Sequence, residues 1–366
     1  MPICLSPGGQ TMTVGETPSD RLFVGTAHGV VSFTRQNGSW GSQQTFLPEE
    51  HISALIFEPS SQTLFAGTYG RSIFASKDLG KNWARRDQGI GDREIYSLAF
   101  QQVGGRPRIY AGTEPAHMFY SDDLGQNWTE FPGLRQVPGV EKWTFPGPPH
   151  LAHVKDITFD PTNSDTIFAA VEVGGVVKST DGGKTWTTAS GLNPDAHRVL
   201  IPLADPKKVY LVMPTTNCDE TVTAGVCVSQ NGGESWKSLT PRNFRIGYVD
   251  PILVHPDNGS LLFTAGAKTG PRSWRETHTA DSRIARSRDG GKSWEVLNEG
   301  LPEHIRGNVE AMAMDVWKGG FALFAGTTDG EVFYGADEGQ RWQKLIQGIG
   351  PVSKSHHYRN LQASAA

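Results

Sequence analysis

The chain has 366 residues, a formal net charge of −4 and 20% charged residues, with no run of lysines or arginines. Phosphate binding needs a concentrated basic surface, so no nucleic-acid partner is expected. The 43 glycines, 23 prolines and 10 tryptophans fit many short strands joined by tight turns and exclude a mainly helical protein.

The N-terminal MPICLSPGGQTMTV carries neither a basic leader nor a sustained apolar run, so no membrane partner and a cytoplasmic location are expected. A unit LFVGTAHGVVSFTRQNGSW then ends at Trp40, and LFAGTYGRSIFASKDLGKNW ends at Trp83. The same order returns to Trp128, Trp186, Trp236, Trp294 and Trp342. Seven similar units, spaced by roughly 45 to 60 residues, form a propeller period. Ahead of each LFAGT-like strand lies another apolar stretch: HISALIF, EIYSLAF, HVKDITF, HRVLIPL, YVDPILV and VEAMAM. These are predicted inner strands. The predicted fold is all-β: one seven-bladed β-propeller over 1–366 with four-stranded antiparallel blades, its ring closed by the N- and C-terminal segments. Cys218 and Cys227 flank a short insertion and Cys4 has no evident partner; reduced thiols are expected.

Ser76, Asp78, Gly80 and Trp83, and again Ser287, Asp289, Gly291 and Trp294, fill the pattern Ser-x-Asp-x-Gly-x-x-Trp. At the turn between strands three and four the Asp accepts backbone N–H groups, Gly permits positive φ and the Trp packs between sheets. The pattern resembles the Asp-box, or BNR, repeats of sialidases, sortilin-like receptors and xyloglucanase-like glycosidases. That resemblance implies the propeller but no single activity, because enzymes and pure binders share the repeat. The arginine trio and the Tyr–Glu pair that a sialidase would require do not emerge from this sequence.

Aligning the inner strands shows one polar end. His51, Glu94, His153 and His197 open blades two to five, Tyr248 and Glu310 stand at the equivalent places in the next two, and SHHYRNL supplies His356 and His357. Ring closure brings such strand starts to one mouth. His51, His153, His197 and His357 are therefore expected to hold a divalent transition metal, Fe or Zn, with Glu94, Glu310, Glu172 and Tyr248 as catalytic or supporting groups. Alternatively the histidines line a water-filled channel. The register at His197 leaves Arg198 as the other candidate for the pore, and Lys155 and Asp250 are further channel candidates.

Three insertions, 131–152, 214–225 and 267–282, fall in connections that emerge on the same face. They offer Trp143, Arg272, Trp274, Arg275 and His278 for binding a small, anionic or aromatic substrate. The expected function is a metal-dependent hydrolase, lyase or oxygenase acting on a small molecule. A glycoside hydrolase with paired carboxylates and a binding or assembly scaffold are the alternatives.

Overall fold

The computed structural model describes residues 1–70, 72–91, 93–215 and 221–361. Seven sheets stand in a ring, six of four strands and one of five, antiparallel but for one N-terminal strand in each of two sheets. The inner strands of blades two to seven are Ile52–Glu58, Glu94–Val103, His153–Asp160, Arg198–Leu200, Tyr248–His255 and Val309–Trp317. The strand in blade five is short because Pro202 follows it and cannot donate to the ladder. Second strands such as Thr63–Thr68 are buried along their whole length, since neighbouring blades cover both faces. Their apolar side chains interleave between sheets, as in the cluster of Phe263, Met312, Leu323 and Trp342, and make the core continuous around the ring.

The repeated turns hold strand three to strand four. Ser76 Oγ donates to Asp78 Oδ1 (2.8 Å) and accepts from Gly80 N (2.8 Å), while Asp78 Oδ1 accepts from Asn82 N (2.8 Å). Gly80 sits at φ 91°. The same bonds recur around Asp181 and Asp289, and around Asn231, which replaces the aspartate in blade five. In an antiparallel blade these turns lie on the face opposite the inner-strand starts.

Ile3–Leu5 is the inner strand of blade one, running parallel to Leu22–Val24. Residues 6–10 then cross the central channel. Gly8 N donates to Ser53 O (2.9 Å), Leu98 N to Gly8 O (2.9 Å) and Gln10 N to Leu55 O (2.9 Å). Met12–Val14 continues beside Met314–Val316 as the fifth strand of blade seven. A Cβ at Gly8 would lie 1.9 Å from Tyr96 O, and one at Gly9 would lie 2.0 Å from Leu55 O. Two glycines are needed for the crossing. Cys4 and Cys227 are buried free thiols; Cys218 lies outside the described residues. No helix among the described residues is long and apolar enough to cross a membrane.

Candidate functional site

Five inner strands break register near their starts: between Ile52 and Ala54, Ile95 and Ser97, Val154 and Asp156, Val249 and Ile252, and Val309 and Ala311. A bulge adds a residue that the ladder does not pair and turns its side chain away from the alternating pattern. Ser53, Tyr96, Lys155, Asp250 and Glu310 fall in these bulges, Asp250 beside Pro251. All five are buried, and the last four belong to two adjoining polar groups at the mouth.

Glu172 is the centre of the first group. Its Oε2 accepts from His153 Nε2 (2.9 Å) and lies 2.7 Å from Lys155 Nζ. Its Oε1 lies 3.3 Å from His197 Nε2, which is 3.2 Å from Asp195 Oδ1. Burial alone would raise the Glu172 carboxyl, but Lys155 and His197 outweigh it and hold the group well below the usual range. Burial and Lys155 press the His197 imidazole down, yet Glu172 and Asp195 prevail and lift it to about 9. Tyr96 stacks on His153 at 3.8 Å between ring centres, and Phe145 leans on the same ring at 5.1 Å.

Beside it lies a second group. Asp250 Oδ1 accepts from Lys354 Nζ (3.0 Å) and is 3.6 Å from Lys155 Nζ. Glu310 Oε2 accepts from Ser353 Oγ (3.0 Å) and Lys354 N (3.3 Å), and its Oε1 faces His357 Nδ1 at 3.4 Å. Residues 351–361 thus lie over the mouth, tied to blade seven by Val352 N donating to Thr327 O (3.0 Å) and to blade one by Ala27 N donating to Pro351 O (2.8 Å). Phe145 and His357 stack on each other beside the cluster, whose most open member is Asp195, 27% exposed.

The structure divides the expected histidine set. His153 and His197 meet on Glu172, whereas His51 donates from Nε2 to Ser353 O (2.6 Å) and His357 faces Glu310. The four rings do not surround one ion. Among the described residues the group with ligand spacing is Glu172, Asp195 and His197, whose donor atoms all lie within 4.8 Å of one another. His197 and Arg198 both turn inward: the first enters the Glu172 cluster and the second pairs with Asp156 in the channel below (3.2 Å).

Glu94 sits half-buried at the rim, opposite Glu114 in register. Tyr248 is buried with its ring 4.8 Å from that of His197. Trp274 does not line the mouth. It is fully buried on the helix Pro271–Thr277 and donates from Nε1 to Thr269 O (2.9 Å). Arg272, Arg275 and His278 lie exposed on the same helix or its cap, and Arg275 Nε donates to Asn360 Oδ1 (2.7 Å). Trp143 packs over Gly174, beside the turn that carries Glu172. Sequence reasoning missed Asp195 and Lys354. The first had a signal, since Asp-x-His spacing ahead of a short strand places two donors on one side.

No family model matches the sequence, and no curated protein matches it. Solved structures match in fold. The GH74 xyloglucanase from Xanthomonas campestris superposes with a TM-score of 0.67 at 17% identity, over 94% of this chain and 55% of that one. An ancestral GH74 enzyme gives 0.62 at 16% identity, over 81% of this chain and 39% of that one. This chain therefore spans between 39% and 55% of the length of those enzymes. The WD40 propeller domain of Doa1 gives 0.61 at 11% identity, over 92% and 95%. At these identities the likeness establishes the seven-bladed propeller, and the GH74 glycoside hydrolases are among its structural neighbours.

Proposed function

We propose that the mouth is the centre of a metal-dependent enzyme, a hydrolase or lyase for a small organic substrate, with Zn²⁺ or Fe²⁺ held by Glu172, Asp195 and His197. One observation carries the reading. His197 Nε2 faces Glu172 Oε1 at 3.3 Å and Asp195 Oδ1 at 3.2 Å, and the donor atoms of the three residues all lie within 4.8 Å of one another. Bonds of about 2.0–2.2 Å from zinc to N and O set ligand atoms about 3.3–3.5 Å apart in a tetrahedron. One imidazole with two carboxylates suits either ion. His153 and Lys155 occupy Glu172 Oε2 and so present Oε1 to the ion. The bound ion would act as a Lewis acid and lower the pKa of a bound water. Asp195, the exposed member, marks the side from which substrate enters. The recurring Ser–Asp turns are read as Asp-box repeats on the strength of their shared bonds.

Elemental analysis of untagged protein tests the centre. About one equivalent of metal, lost in His197→Ala and Asp195→Ala, supports it. Protein that stays metal-free after reconstitution with either ion overturns it. Chelator-reversible turnover of small esters and lactones tests the activity.

The likeness to GH74 enzymes favours a second reading, glycoside hydrolysis by the Glu172 and Asp195 carboxylates. Turnover of aryl glycosides by chelated protein, abolished by Asp195→Asn, would select it.

A further inference from the structure

The N-terminal crossing divides the propeller channel into two compartments. Below it, on the face opposite the mouth, lies a cavity of about 240 Å³. Its walls combine apolar side chains, Ile56, Leu98, Phe100, Ile157, Leu200 and Val254, with the polar Gln10, Thr11 and Thr158, and Leu203 at its edge is 52% exposed. One charged pair stands among them. Arg198 and Asp156 line the same cavity, and each is more than nine-tenths buried.

The hydrogen bonds of this pair are unequally used. Asp156 accepts at both oxygens, from Arg198 NH1 (3.2 Å) and Val199 N (3.0 Å). Arg198 donates to Asp156 and to Pro7 O. A guanidinium carries five N–H groups, so three have no partner among the described residues. The cavity thus offers spare donors on Arg198. Its charge is already balanced, and a second anion beside Asp156 would leave an uncompensated negative charge.

We propose that this lower compartment is a binding site for a small uncharged organic molecule, an apolar body carrying one hydrogen-bond acceptor such as a ketone or lactone, with the acceptor on Arg198. The site is independent of the metal centre, because the residues 6–10 crossing stands between them. Its ligand enters past Leu203 and displaces cavity water from the apolar walls. Arg198 selects for the acceptor, and Asp156 selects against anions.

The test is methyl-detected NMR of the full chain, labelled at Ile, Leu and Val, titrated with 2-heptanone, heptane and heptanoate. The expected result is saturable shifts of the Ile56, Leu98, Ile157 and Leu200 methyls with 2-heptanone, and binding at least tenfold weaker for the other two. Ala99→Phe, which fills the cavity and leaves the Arg198–Asp156 pair in place, is expected to abolish the shifts while the remaining spectrum stays folded. Three results would overturn the proposal: no saturable shift with 2-heptanone, heptane binding as well as the ketone, or heptanoate binding better. Retention of the shifts in Ala99→Phe would also overturn it.

Discussion

His197 Nδ1 lies 2.6 Å from the carbonyl oxygen of Val249 on the neighbouring blade. A carbonyl only accepts, so Nδ1 carries the proton, and Nε2 is the nitrogen turned toward Glu172 and Asp195. A ring held in this way is the usual arrangement for a metal-ligating histidine. The bond links residues 52 positions apart.

The roles of the other histidines differ accordingly. His153 holds Glu172 and is not a ligand, so His153→Ala should weaken metal binding by about 10–100-fold. His51, tied to Ser353, should leave affinity unchanged when replaced by Ala. Competition against a chromophoric chelator measures both.

The channel crossing should be intolerant of side chains. Gly8→Ala drives a Cβ into the Tyr96 carbonyl, and backbone cannot yield as a flexible side chain does. A loss of about 1–3 kcal/mol or more is expected, read as a lower urea midpoint.

Trp274 and Trp143 should separate in the same assay. Trp274 is fully enclosed by Tyr248, Ala267, Ala280 and Leu361, so Trp274→Ala should cost about 3–5 kcal/mol. Trp143 is half-buried, and its replacement by Ala should cost within about 2 kcal/mol.

His51 sets a pH dependence. Burial holds its imidazole down to about 4, helped by His356 and His28 and opposed by the Ser353 carbonyl and Glu310. The unfolded chain therefore takes up this proton first. The stability that follows is present above about 6.5 and is lost as pH falls from there toward 4. His51→Phe should flatten that part of a plot of unfolding free energy against pH, measured by urea titration at each pH.

Much of the architecture was legible because a propeller is written locally. Each unit repeats its own apolar strands and a tight turn before its Trp, written Ser-x-Asp in four of them, so the seven copies from Trp40 to Trp342 could be read one at a time. The polar ends at His153, His197 and Glu310 were legible for the same reason. Their partnerships were not. Lys155 and Asp250 reach the cluster through bulges, and a one-residue slip in register reverses which way a side chain points. Asp195 and Lys354 lie outside the strands, where no period marks them.

The sequence by itself determined a seven-fold series of strand-rich units, the tight turns that join them and a polar end on the inner strands, all consequences of short-range pattern and burial. Only the tertiary structure decided that Glu172 gathers His153, Lys155 and His197, that residues 6–10 divide the channel and that residues 351–361 cover the mouth. These depend on ring closure, which places residues hundreds of positions apart within hydrogen-bond reach, and on bulges whose placement is settled only when neighbouring blades pack.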